Sequence, residues 1–518
     1  MDKNIFNRPV FIYSVFAIVL ATALAPVISF KYFPTVDGPA HLYNAKIIRE
    51  LLWGDKALFS TFFKFNHEPV PNWTAHLFGV IAGVFFPAWM VEKLTVLLIV
   101  IGTLTGMQRL ARAFGATVSW RIFLLLPFIY TITLYLGFFN FMFSIVLMLF
   151  VLSWMVKWTQ HISYSYFVLL LFATTLLYFS HVLAFGIAII FVGMLILWER
   201  LHDANALIFS RVNILKVCCF VPGLIFAFIF FSTRKVEGFR HKMERVPFDD
   251  LLKMVFDGSP LVGLNGAEEV PYTSIYMIGI AVLILLTIVV RSRNSIAFAK
   301  SDLLLVFAVF MFACYFLLPD GMAAGGFISV RLLLLALMFL VTWLLVFKMP
   351  VWISVLAGLL GVFVNFSTFG YRMKAASQLN DDAKNLVDLA AQINTGSIVL
   401  PLNYSTNWLH LNLSAYMGAS ADLVLLENYE ADFDEFPLKW QNGFKPGPIV
   451  ANYKNAPSPL DTIQKFEAAT GIKVNYIARW LFDPNTTDST KIATDKNLRS
   501  HFHYRKEVGL GDILFIEK

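Results

Sequence analysis

The sequence predicts a polytopic α-helical membrane protein that carries a small α/β domain at its carboxyl end. Three observations predict it. Hydrophobic residues make up 58% of the 518 and charged residues 14%, against roughly 45–50% and about 25% in an ordinary soluble domain. Apolar runs long enough to cross about 30 Å of hydrocarbon recur along the chain. The pattern stops near residue 370, beyond which the polarity is ordinary. Aromatic residues reach 16%, led by 52 Phe, which suits lipid-facing surfaces and interfacial belts.

The runs lie at residues 10–30, 91–110, 119–136, 138–156, 164–180, 182–198, 212–232, 272–290, 302–318, 328–347 and 351–369, about eleven helices in all. Lys3 and Arg8 precede the first, whose length and lack of an A-x-A site fit an uncleaved signal anchor. A further stretch, residues 73–88, is short, holds His76 and Gly79 and ends near Pro87.

Whether that stretch crosses decides the topology. If it does not, Arg109, Arg112, Arg121, Lys157, Arg200, Arg211, Lys216, Arg291, Arg293, Lys300 and Lys348 all fall in cytoplasmic loops, as the positive-inside rule requires. Residues 73–88 are therefore expected to lie in the interface. The amino terminus is then cytoplasmic, and the loops 31–90 and 232–271 and the tail are extracytoplasmic. Two domains follow, a membrane domain over residues 1–370 and an α/β domain over residues 371–518. In the tail a helix is expected near Ala375–Ile393, with strands at 397–402, 421–427, 474–480 and 511–517.

The net charge of +7 points to topology and not to nucleic acid, because the basic residues are scattered between apolar runs. Cys218, Cys219 and Cys314 all sit in apolar stretches, so neither a disulfide framework nor a CxxC site is available.

Ionisable or polar residues at the mouths of spans are functional candidates. The first loop supplies Asp37 and His41 in PTVDGPAHLYNAKIIREL, then His67 and Glu68 in FKFNHEPVPNW. Pro39 can open a helix, along which Leu42, Ile47, Ile48, Leu51 and Leu52 recur at helical spacing, as on a helix lying on the membrane. Asp37 can be that helix's N-cap or a reacting carboxylate. Later turns add Asn140, His181, Asp320 and Arg331, and the loop 232–271 adds Arg234, Lys235 and His241 among other basic residues. Arg331, inside an apolar run, can snorkel or bind a lipid phosphate. The basic loop can be a solvated surface or a phosphate site. His76 and His181 can be hydrogen-bonded interfacial residues or substrate contacts. Asp37, His41, His67 and Glu68 could together hold a divalent metal, although no close ligand spacing such as HExxH is present.

This pattern resembles the GT-C superfamily of integral membrane glycosyltransferases, which includes protein mannosyltransferases, aminoarabinose transferases and oligosaccharyltransferases. VDGPAHLYNAKIIREL is similar to the first interfacial helix of their external loop and NHEPVPNWTAHLFGVIAGVFF to the second, followed by a span like EKLTVLLIVIGTLTGMQRLARAFGA. The likeness covers about residues 10–200. It implies an enzyme with Asp37 as catalytic carboxylate, a polyprenyl-phosphate-linked sugar as donor and a glycan, lipid or protein as acceptor, in a bacterial inner membrane. No cofactor is implied. Gly38 stands where several such families carry a second acid. A transporter or flippase of lipid-linked saccharides would need ionisable residues near mid-membrane, and the spans hold few. A non-catalytic binding protein on the same fold is the third reading.

Overall fold

A computed structural model of the chain describes residues 6, 8–54, 57–158, 163–203, 207–233, 245–294, 298–321, 326–441, 444 and 458–515. Each of the eleven predicted runs coincides with a helical stretch. Seven helices among the described residues are long and apolar enough to cross a membrane: Ala88–Ala113, Phe139–Lys157, Val182–His202, Arg211–Ser232, Gly266–Arg293, Lys300–Leu317 and Val351–Ala390. Shorter apolar helices occupy Pro9–Ala23, Trp120–Tyr135, Tyr164–Ser180 and Ile328–Leu344. The chain is a multi-pass membrane protein. It divides into two compact units, each described by itself.

The first unit comprises Met1–Pro26, Leu97–Tyr135 and Asn140–Lys374. Its most enclosed element is the helix Ile328–Leu344, buried along almost its whole length. The run expected as a continuous helix over 119–136 is instead a 3-10 helix, Trp120–Ile129, followed by one α-turn, Ile132–Tyr135. Pro127 has no N–H to give to an α-helical ladder, so carbonyls along this segment need other donors. Tyr276 Oη donates to Leu124 O at 2.6 Å, and Asn365 Nδ2 to Leu126 O at 3.1 Å. Helix Val351–Ser367 packs directly on the same segment through two glycines. A Cβ on Gly358 would lie 2.6 Å from Trp120 O, and one on Gly361 would strike Phe123 O, the close backbone approach that small residues allow between membrane helices. Glu269, fully buried, accepts from the N–H groups of Gly263 and Leu264 at 2.7 Å each and pairs with Arg372 at 2.9 Å.

The second unit comprises Val27–Val96, Leu136–Phe139 and Ala375–Lys518, so the first loop belongs with the tail. Its helix Gly38–Trp53 begins with Pro39 in the first turn and stops at Gly54. The helix was expected to lie on the membrane with one apolar stripe. It turns more of its circumference to protein: Leu42, Tyr43, Ala45, Ile47 and Ile48 are buried with Leu400, Tyr416 and Leu425 of the tail in one core. Only its last turn, with Leu52 and Trp53, is open.

Helix Thr74–Phe85 has 12 residues and rises about 18 Å, too short to cross the hydrocarbon. Ala75, His76, Gly79, Val80 and Ala82 are buried, while Leu77, Ile81, Val84 and Phe85 form an exposed apolar stripe.

The tail opens on the long helix Phe369–Ala390. Seven strands are found among the described residues of this unit: β1 (Phe63–Phe65), β2 (Ile398–Asn403), β3 (Val424–Leu425), β4 (Leu438–Trp440), β5 (Tyr476–Trp480), β6 (Tyr504–Val508) and β7 (Gly511–Phe515). Five form a sheet in the order β3-β2-β5-β7-β6, with β2 parallel to β3 and β5 and with β7 antiparallel to β5 and β6. The four expected tail strands are β2, β3, β5 and β7. β6 escaped notice because YRKEV is largely exposed and carries no apolar alternation. Strands β1 and β4 pair antiparallel, Phe63 opposite Trp440.

At the centre of the five-stranded sheet Arg479 on β5 is fully buried. Its guanidinium makes a two-pronged bond to Asp512 on β7, Nε to Oδ1 at 2.7 Å and Nη2 to Oδ2 at 2.5 Å, and pairs with Asp495 of helix Ser489–His501.

Candidate functional site

The candidate site lies in the second unit, where the first loop meets the tail. Asp37 occupies the N-cap position of helix Gly38–Trp53, but its side chain makes no capping bond. Thr35 Oγ1 accepts the Gly38 N–H instead, at 3.1 Å. The capping role is thus taken by a neighbour, and the Asp37 carboxylate is left for other partners. Asn412 Nδ2 donates to Asp37 Oδ1 at 2.8 Å, and the Tyr429 hydroxyl donates to the same carboxylate. The turn is held from behind by the Asp37 N–H, which donates to Leu136 O at 3.2 Å.

Gly137 is fitted to that turn. It has φ +75°, and a Cβ there would lie 2.6 Å from Asp37 N and 2.8 Å from Gly38 N. Gly137→Ala is therefore expected to destabilise the protein by about 2 kcal/mol, read as a lower midpoint in thermal unfolding of the detergent-solubilised chain.

One helical turn past Asp37, His41 Nε2 lies 3.1 Å from Gly137 O, and its Nδ1 is 2.6 Å from Glu430 Oε1. His76, on helix Thr74–Phe85, places Nε2 2.8 Å from Glu430 Oε2 and Nδ1 3.0 Å from Asn72 O. The two imidazoles stand edge to face, 5.0 Å between centroids. Asn44 Nδ2 also donates to Glu430 Oε2, at 2.6 Å. His41, His76 and Glu430 are all buried.

Burial pushes the Asp37 carboxyl up to about 6, against the pull of His41 and with the Glu430 charge adding to the rise. It is thus ionised at neutral pH yet more basic than a solvated aspartate, a useful property in a group that must take a proton. Burial would raise Glu430 as well, but the two histidines hold it well below the usual carboxylate range. Burial opposes charge on His41, and Glu430 overrides it, so that His41 is raised. Beside the turn, the Tyr416 hydroxyl donates to the fully buried Glu92, and a Cβ on Gly38 would strike Glu92 and Thr35. Gly38 therefore stands where a second acid would collide with an existing one.

The sequence candidates fall into four groups. Asp37 and His41 come together. His67 is exposed and Glu68 half-buried, and neither is in the His41, His76 and Glu430 cluster, the set of potential metal ligands found among the described residues. In the first unit, Arg331 Nη1 lies 3.1 Å from His181 Nε2 and its guanidinium stacks over Phe141 at 5.1 Å. Asp320 caps the helix Ile328–Leu344, accepting the Ser329 N–H at 2.8 Å, and Asn140 is buried in helix Phe139–Lys157. Arg234, Lys235 and His241 lie outside the described residues. Asn412, Tyr429 and Glu430 were missed by the sequence reading. They sit in tail segments without a motif, and the acid-rich stretch ENYEADFDE gives no sign of which carboxylate turns inward.

No family model matches the sequence, and no curated protein matches it. Solved structures do. The crystal structure of ArnT from Cupriavidus metallidurans in the apo state superposes with a TM-score of 0.55 at 12% identity, over 97% of this chain and 98% of that one. The same protein bound to undecaprenyl phosphate gives a TM-score of 0.52, again at 12% identity, with 97% and 98% covered. At this identity the likeness is one of fold. The polytopic helical fold with a carboxyl-terminal α/β part is shared with these structures over nearly the whole chain.

Proposed function

We propose that the protein is a membrane glycosyltransferase that moves a sugar from a polyprenyl-phosphate-linked donor to an acceptor nucleophile on the extracytoplasmic face of a bacterial inner membrane. The observation that carries this reading is the Asp37 carboxylate. It is free of its helix, aimed by Asn412 and Tyr429, and made more basic by burial. As the acceptor hydroxyl or amine attacks the anomeric carbon, its proton passes to Asp37, and the lipid phosphate departs with the electron pair of the broken C–O bond. The full-length likeness to a protein whose structure holds undecaprenyl phosphate supports a polyprenyl phosphate as the leaving group.

Arg331 is assigned to that phosphate. A guanidinium in the first turn of a buried helix, placed by His181 and Phe141, suits a dianionic oxygen cluster better than an ammonium does. Arg331→Gln is expected to raise the KM for donor about tenfold or more, the loss of one charge-assisted contact, with a smaller change in kcat. Steady-state kinetics in detergent micelles measure it.

The reading itself is tested by incubating the purified full-length protein with a panel of polyprenyl-phosphate sugars and following the release of polyprenyl phosphate. Release that depends on the protein supports it. No release from any member, in the presence of a membrane extract containing acceptors, removes it.

A further inference from the structure

Within the first unit, the helix Ala88–Ala113 has a closed face and an open one. On the closed face a Cβ on Gly102 would lie 2.8 Å from Val146 Cγ1, and one on Gly106 2.9 Å from Leu149 Cβ. These glycines seat the helix on Phe139–Lys157. On the open face Leu98, Ile101, Thr105, Arg109 and Arg112 are exposed. They recur three and four residues apart, which places them along one side of an α-helix. That side is apolar where it begins and cationic where it ends.

At the cationic end lies an open cleft of about 280 Å³, whose polar lining is Gln108, Arg112, Thr117 and Ser119. Arg112 donates to the Tyr13 hydroxyl, which also takes a bond from Gln108. Arg121 donates from Nε to Ser119 Oγ at 3.3 Å and from its two other nitrogens to Leu344 O and Phe347 O. Arg109, one turn before Arg112, lies over the rings of Phe150 and Trp154, 5.4 Å and 5.6 Å from their centroids. Among the described residues none of these three arginines pairs with a carboxylate, whereas Lys216, Arg291 and Lys300 at other helix ends each do. Three positive charges are thus gathered at one cleft without an anion, at the end of a helix long enough to cross a membrane.

We propose that this cleft binds the phosphate of an anionic phospholipid. The guanidinium fork of Arg112 matches two phosphate oxygens, and Gln108, Thr117 and Ser119 supply neutral donors beside it. A lipid fits better than a soluble anion because the cleft stands at the end of the exposed stripe of Leu98, Ile101 and Thr105, along which an acyl chain can lie. Basic pockets between membrane helices take lipid head groups in this way. A zwitterionic head group carries its own amine and gains less from three arginines. The proposal stands whether or not the protein transfers sugars.

The test is native mass spectrometry of the full-length protein, delipidated in mild detergent and titrated in separate arms with phosphatidylglycerol, phosphatidylcholine and inorganic phosphate. The expected result is about one phosphatidylglycerol held per chain, at least tenfold tighter than phosphatidylcholine and not displaced by inorganic phosphate. Arg112→Gln is expected to weaken that binding about tenfold or more, the loss of one charge-assisted contact, and Arg112→Lys to weaken it less. Arg211→Gln, at an exposed cation that opens a different span, is expected to leave it unchanged. Equal affinity for the two lipids, or full binding by Arg112→Gln, overturns the proposal. Equal loss in Arg211→Gln overturns it too, because the attraction would then be to the whole basic surface. Displacement by inorganic phosphate likewise overturns it, in favour of a site for a free anion.

Discussion

Asp37→Asn is expected to lower the rate of sugar transfer by about 10³-fold, in the range seen when a general base is removed, while the protein still inserts and folds. The substitution is nearly isosteric. The Asn412 amide can still donate to the amide oxygen of the new residue, and the backbone bond from residue 37 to Leu136 O is untouched. What disappears is the capacity to take a proton. The loss should therefore fall on kcat, with donor KM little changed, because the carboxylate is assigned no contact with the lipid phosphate. Single-turnover transfer by the purified variant measures it. Full activity would remove Asp37 from the chemistry and leave it as an unused N-cap.

The second large effect is structural. Arg479→Met is expected to destabilise the tail by about 3–5 kcal/mol, the usual result of removing one partner from a buried ion pair. Methionine fills most of the volume but leaves the Asp512 carboxylate, held also by Arg505, without its principal cation inside the sheet. Asp495 is left with Arg499 alone. Hydrogen exchange in the detergent-solubilised protein should show loss of protection in β5 and β7 first, since these strands carry the pair, with the helices of the first unit keeping theirs. The paired change Arg479→Met/Asp512→Leu should recover part of the loss, because no buried charge would then stand alone on that face.

The membrane helices were legible because twenty consecutive apolar residues have few alternative uses. The break at residues 119–136 was less so. Pro127 sits within an unbroken apolar run, and the glycines that receive the 3-10 helix, Gly358 and Gly361, are more than 200 residues away. The short second loop helix is read as non-crossing from the basic residues that follow it, and in the fold it leaves Leu77, Ile81, Val84 and Phe85 exposed. Asp37 stood out through local chemistry, an acid just before Gly-Pro at the end of a span. The groups that aim it did not. Asn412 is 375 residues distant, and nothing in LHLNLSAY separates it from any other surface asparagine. Glu430 was hidden among neighbouring acids, and only the fold shows that it faces two histidines.

The pairing of β1 with β4 has a consequence in time. Phe63 is made early and Trp440 roughly 380 residues later, an interval of about half a minute at ~5–20 residues per second. During that interval the three-residue strand has no partner, and the helix that follows Asp37 lacks the tail side chains that cover it. A ribosome stalled after the last membrane span would leave the Asp37 loop without its framework. The Asp37 carboxylate gains its Asn412 and Tyr429 partners only when the end of the chain arrives, so an unfinished protein holds it without either.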